Sequence, residues 1–189
     1  LRQHQLDARV GEWTNDWAEG FKRGTLATEM SGAWLVGQLN NWAAPATKGL
    51  WRASQLPEGA FAAYGGAFYA VPRHSAPENK ALAWEFIRMM TLDRGRQFAA
   101  FKSQDAFPSL VDCYDDPFFD EPLPFLGGQK ARLLWRDAAQ RIQAMPVHKQ
   151  STFADEVITT ELGHVLDRGK PIPQALADAE RLIARRALR

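Results

Sequence analysis

At 189 residues, with 46% hydrophobic and 24% charged residues, the chain is long enough to bury one good core or two small ones, and no apolar run approaches the roughly 18 residues that a membrane helix needs. Its 23 basic and 22 acidic residues leave a formal charge of +1, too small for a global field that draws nucleic acid or an acidic membrane. The single cysteine, Cys113, excludes an internal disulfide.

The chain opens Leu1-Arg2-Gln3-His4, without an initiator Met, a charged n-region or an apolar h-region, and just ahead of a helix with no strand before it. That is the pattern of a fragment of a longer protein. Val10, Trp13, Trp17 and Phe21 follow helical spacing that ends at Gly24, a C-cap. Residues 25–30 read as a short strand and 32–43 as a helix bearing Trp34, Leu35, Leu39 and Trp42; 49–56 and 67–71 are further strands. In Ser75-Ala76-Pro77-Glu78, Ser75 suits an N-cap, Pro77 has no amide N–H to leave unpaired, and Glu78 can bond back as a capping box. Leu82, Phe86, Ile87 and Met90 then form the buried face of this helix, and a second helix over 93–102 buries Phe98 and Phe101.

Four prolines and several turn formers forbid a long helix over 106–127, and the many aromatics there argue that the segment packs on the body as a connector. Three helices finish the chain, over 129–144, 152–168 and 173–188. Pro146 stops the first, Thr152 and Asp155 cap the second, which ends at Gly169, and Pro173 begins the third. Arg181, Arg185, Arg186 and Arg189 have no aromatics between them and read as a solvated helix face. Trp13 and Trp17 lie four apart on one helical face, and Trp84 and Trp135 sit on amphipathic helices; all four read as packing residues.

The runs FKRGTLATEMSGAW, at 21–34, and YGGAFYAV, at 64–71, join short apolar strands to glycines and rings, the makings of a cleft where backbone and ring faces meet a small polar ligand. Catalytic patterns are weak. Asp115-Asp116 and Asp120-Glu121 stand beside Pro117 and Pro122 as turn residues, and the four histidines lack metal-ligand spacing, so no cofactor or metal is expected. Gly127-Gly128 and Gly169-Lys170-Pro171 fall short of a phosphate loop.

Taken in order, Ala27-Thr28-Glu29-Met30-Ser31-Gly32-Ala33-Trp34, the Gly65-Gly66 strand, the 75–86 helix start and Gly169-Lys170-Pro171-Ile172-Pro173-Gln174-Ala175-Leu176 resemble the C-terminal half of the extracellular solute-binding proteins of bacterial ABC sugar importers, the maltose-binding-protein-like family 1. The resemblance runs over nearly the whole chain. It implies an α/β fold: a two-lobed periplasmic-binding-protein type II clamshell, of which this is the helix-rich C-terminal half with a short mixed sheet, closing on ligand by hinge motion. Residues 1–64 then belong to the C-terminal lobe, 65–106 form a hinge strand and a returning segment of the N-terminal lobe, 107–127 cross back, and 128–189 are C-terminal-lobe helices.

The implied function is capture of a mono- or oligosaccharide between the lobes and delivery to a membrane permease, without catalysis, by a periplasmic protein or a cell-surface lipoprotein. A ligand-sensing module that signals to a receptor, or a carbohydrate-active enzyme, are the alternatives. Trp34 matches the family's sugar-stacking tryptophan, with core packing as its other reading; Gly32 serves the turn or the ligand. Gly65 and Gly66 let backbone approach a ligand, Tyr64 or Phe68 adds a ring, and a plain hinge bend is the alternative. Glu29 and Ser31 flank the same turn, His148 lies in a loop that enters the cleft in the family, and Phe153 fits either the ligand or the helix core.

Overall fold

The computed structural model describes residues 4–143 and 146–187, which divide into two compact units. The larger, Ala8–Gln143, holds α1 (Asn15–Arg23), α2 (Trp34–Gln38, running on as a π-helical turn Leu39–Ala43), α3 (Pro77–Leu92), α4 (Arg94–Gln104) and α5 (Ala131–Arg141). The smaller is built on α6 (Ser151–Arg168) and α7 (Ile172–Ala187). Among the described residues no helix is long and apolar enough to cross a membrane.

The core of the larger unit is aromatic. Phe21, Phe101, Phe119 and Leu126 are almost wholly buried, and Phe101 meets Phe107, Phe118 and Phe119 with ring centroids 5.2–5.6 Å apart. The proline-rich segment supplies much of this core. It is a chain of short 3-10 turns, Val111–Cys113, Pro117–Asp120 and Pro124–Leu126, that bury Cys113, Phe118, Phe119, Phe125 and Leu126. Asp116 caps its turn by accepting from the Phe118 amide at 3.0 Å, which gives Asp116 the turn role expected of it. Arg132 of α5 is buried with its guanidinium 3.8 Å from the Phe118 ring centroid and 3.8 Å from Asp105, so the cation is held by a ring face and a carboxylate together. At Gly37 a Cβ would lie 2.8 Å from the Gln104 carbonyl carbon; only a glycine lets α2 run this close to the end of α4.

No strand forms among the described residues, so the short mixed sheet is not seen in them. Segment 25–30 forms no regular element, and among the described residues its backbone bonds are the Thr25 and Leu26 amides donating to Gly20 O. Segment 49–56 finds other partners: Gln129 accepts from Ala53 N at 2.8 Å and donates to Ala53 O at 2.7 Å, while Gln55 donates to Leu134 O. Segment 67–71 forms no regular element, with 67–70 exposed and Val71 half-buried. A strand is defined by its neighbour, and none of the three segments has one here.

Several helix details also differ. With Pro77 at the first helical position, the cap position of α3 is Ala76, one residue past Ser75, and no side chain caps it. Likewise α6 begins at Ser151 without a side-chain cap, so Thr152 and Asp155 lie inside it. Leu82, Trp84 and Phe86 are exposed, Trp84 by 55%, and no residue of α3 is fully buried, although Ile87 and Met90 are half-buried and the Tyr69 ring meets Phe86 edge-on at 6.2 Å. Trp135, by contrast, is buried as expected. Gly24 and Gly169 end their helices in the left-handed conformation, at φ 69° and 67°. Ala144 and Leu188, the expected ends of two helices, lie outside the described residues.

In the smaller unit α6 and α7 pack through small side chains, Ala175 and Ala179 being buried with Val157. A charge cluster pins the pair. Lys170, in the turn, bonds both Glu161 of α6 and Asp178 of α7, the latter at 2.7 Å. Hydrogen bonds from Lys170 lower both carboxyls' pKa values, and the same bonds raise that of the ammonium.

Candidate ligand-binding site

The site is assembled at the start of α1. Thr14, with extended backbone, accepts from Trp17 N at 3.2 Å and donates to Gly11 O at 2.8 Å, so the helix begins only at Asn15 and Trp13 stands outside it. Trp13 takes φ +64°, a left-handed conformation that costs a bulky residue about 1–3 kcal/mol. The surrounding rings hold it there. Its centroid lies 5.1 Å from Trp17 and 5.5 Å from Trp34, almost parallel to the latter at 21°.

Trp34 opens α2 and is half-buried. Its indole N–H donates to Tyr64 O at 3.2 Å, and its ring also stacks on Tyr64 at 6.0 Å and 21°. The Tyr64 hydroxyl in turn donates to Glu12 Oε2 at 2.8 Å. Segments 12–13, 34 and 64 are thus tied by ring faces and two hydrogen bonds. Trp17 is buried beneath them, edge-on to Phe21, and donates its indole N–H to Glu29 Oε2 at 3.4 Å. Trp42, exposed on the π-helical turn, lies 6.4 Å from Trp17.

Glycines permit this packing. A Cβ at Gly32 would sit 2.7 Å from Trp34 Cδ1, inside the indole's own space. Gly65 and Gly66 take φ +80° and +112°, which turn the chain away immediately after Tyr64.

Two carboxylates border the rings. Burial raises the pKa of Glu29, the Trp17 N–H opposes that rise, and the charge of Glu12 adds to it. The bond to Glu12 raises the Tyr64 hydroxyl first of all, with the Glu12 and Glu29 charges contributing. Half-exposed ring faces beside carboxylate acceptors suit a ligand with apolar C–H faces and hydroxyl donors.

Of the residues singled out in the sequence, Trp34, Gly32, Tyr64, Gly65 and Glu29 come together here. Gly66 follows with open space at its α-carbon, whereas Phe68 is fully exposed to solvent, away from the ring stack. His148 and Phe153 belong to the smaller unit. The His148 ring nitrogen Nδ1 accepts from Gln150 N at 3.1 Å ahead of α6, and Phe153 lies under Arg186 at 4.3 Å. Trp13 and Glu12 escaped the sequence reading. The four-residue spacing of Trp13 and Trp17 drew Trp13 into the helix, although Thr14-Asn15-Asp16 is a start signal that places it outside.

The family model of the bacterial extracellular solute-binding proteins matches residues 3–123, more than half of the chain. The chain belongs to that family. Among solved structures, this solute-binding protein is similar to the ABC transporter associated binding protein of B. animalis subsp. lactis Bl-04, determined in complex with β-1,6-galactobiose, at 25% identity and a TM-score of 0.80. The match covers 98% of this chain and 48% of that one, so the chain spans about half the length of that relative. The fold is of the periplasmic-binding-protein type. A search of curated proteins finds no match.

Proposed function

We propose that the intact protein is the substrate-binding component of a bacterial ABC importer, which captures a mono- or oligosaccharide between two lobes and hands it to the membrane permease. The observation that carries this reading is the stack of Trp13, Trp34 and Tyr64 beside Glu12 and Glu29, in a family of solute binders with a structural relative that holds a disaccharide. A pyranose ring lays its C–H face on the indoles, and its hydroxyls donate to the carboxylates. Glu29, Gly32, Trp34, Tyr64, Gly65 and Gly66 contribute this chain's share of the site, and Phe68, His148 and Phe153 are assigned to the ligand as well. The protein binds and releases without chemical turnover, in the periplasm or tethered by lipid to the cell surface.

On this reading 1–64 and 128–189 form the C-terminal lobe, 65–106 a hinge strand and a returning piece of the N-terminal lobe, and 107–127 the crossing back. Two observations support the division. Leu82, Trp84 and Phe86 of α3, within 65–106, are exposed and no residue of that helix is fully buried, as in a helix whose further packing partners come from elsewhere, and segments 25–30 and 67–71 have no ladder partners among the described residues, which leaves them free to pair in a short mixed sheet.

The test is a tryptophan-fluorescence titration of the intact protein with neutral mono- and disaccharides, β-1,6-galactobiose among them. A saturable change is expected, because Trp13, Trp17 and Trp34 lie in or under the site; silence with every sugar would contradict the reading.

A further inference from the structure

We infer that a cavity of about 180 Å³ between the π-helical turn after α2, the end of α4 and the start of α5 binds a small oxyanion of the phosphate or sulfate class, with Arg132 as its principal partner. The cavity lies wholly within the larger unit and shares no residue with the ring stack. Asn40 and Asn41 line it from the π-helical turn, Lys48 from the turn that follows, Lys102 from α4, Asp105 from just beyond α4 and Arg132 from α5. Three cations thus face one carboxylate.

Arg132 is 6% exposed, and a buried guanidinium needs acceptors for its five N–H groups. It does not find them. Nη1 donates to Phe118 O and Glu121 O at 3.4 and 3.3 Å, both long; Nη2 stands at ion-pair distance from Asp105 Oδ1, 3.8 Å, but beyond a hydrogen bond; and the buried Nε has no partner among the described residues. The Phe118 ring attracts the cation without supplying an acceptor in the guanidinium plane. Burial lowers the pKa of Arg132 and raises that of Asp105 in spite of their mutual attraction, so the pair is under-compensated as it stands. The lysines add to the excess. Lys102 Nζ lies 5.2 Å from the same Phe118 ring, and neither Lys102 nor Lys48 forms an ion pair among the described residues. Asn40 Nδ2 donates to Asn41 Oδ1 at 2.9 Å and Asn41 Nδ2 to Ser103 O at 3.4 Å, which leaves each amide one N–H for a ligand.

Water satisfies N–H groups without offsetting charge; a tetrahedral oxyanion does both, and a guanidinium matches its oxygens in pairs. The space suffices for one such ion with waters, a water's share of liquid volume being about 30 Å³. Asn40, Asn41, Lys48 and Lys102 are exposed, so the cavity is open to ions from solvent.

The experiment is isothermal titration of the intact protein with sodium sulfate and with inorganic phosphate, at an ionic strength held constant with sodium chloride, on the wild type, Arg132→Met and the double variant Lys48→Gln with Lys102→Gln. One saturable site is expected in the wild type. Arg132→Met is expected to weaken binding at least about tenfold, the loss of a charge-assisted hydrogen bond, and the double variant about fivefold, from two exposed charges. Circular dichroism establishes that each variant is folded; the double variant, changed only at exposed positions, carries the test where Arg132→Met is not. Heats that saturate with neither anion would mean that the cavity holds water alone and overturn the assignment, as would a Kd unchanged in the double variant. Either result leaves the sugar reading in place.

Discussion

Glu29 is held ionised in the folded chain at a cost. Its carboxyl is raised above the ordinary 4.5, chiefly by burial, so the ionised form destabilises the folded chain. For a group shifted this way the penalty is fully present above the folded pKa and vanishes as pH falls through it to the unfolded value. Glu29→Gln keeps an acceptor for the Trp17 indole and removes the charge. Its melting temperature is therefore expected to exceed that of the wild type at pH 7, with the gap closing as pH approaches 4.5; a lower melting temperature at pH 7 would show that the charge is stabilising. Gly32 is constrained by space instead. A methyl there meets the Trp34 indole, so Gly32→Ala is expected to displace that ring and weaken sugar binding several-fold, at a stability cost of about 1–3 kcal/mol, read by titration and thermal melting side by side.

Among the helices, the α6–α7 pair depends on a charge cluster because its buried apolar seam is small. Glu161 and Asp178 are lowered below 4.5 and 3.8, so their contribution holds above the unfolded values and is lost as pH falls through the folded ones; Lys170, raised above 10.5, contributes until pH rises past its folded value. Lys170→Met is expected to lower the thermal stability of this pair at pH 7 and to have little further effect in acid, where both carboxylates are protonated; helical circular dichroism follows it. Helix positions were legible in the sequence because their signals are local. Gly24 and Gly169 end α1 and α6 where the pattern placed them, and the prolines of 106–127 restrict that segment to short turns while its phenylalanines fill the core. Strands were not legible in the same way. The apolar composition of 25–30, 49–56 and 67–71 states a preference for extended backbone, but pairing requires a partner at the right register, and Gln129 takes that place for Ala53. The amphipathic pattern of α3 likewise says which face favours burial without saying what covers it.

For the molecule as a whole, the uncovered surface is the notable property. Leu82, Trp84, Phe86 and Leu92 of α3 and Phe68 before it are exposed, as are Ile158, Leu162 and Leu166 of α6. Within each unit, exposed apolar side chains in this number favour association. Residues 1–189 expressed alone are therefore expected to bind a hydrophobic dye and to self-associate with concentration in sedimentation; a dye-silent monomer would mean that these faces are closed by rearrangement. The candidate site was half legible at this scale. Trp34, Tyr64, Gly32, Gly65 and Glu29 were found from ring and glycine patterns, whereas Trp13 and Glu12 became visible only when the fold laid the start of α1 against α2 and the 64–66 turn. The most direct test of sugar capture on this ring stack is calorimetric titration of the intact protein and of Trp34→Ala with the sugar that changes its fluorescence. One saturable site is expected in the wild type and at least about tenfold weaker binding in the variant; the same Kd in both would place the ligand elsewhere.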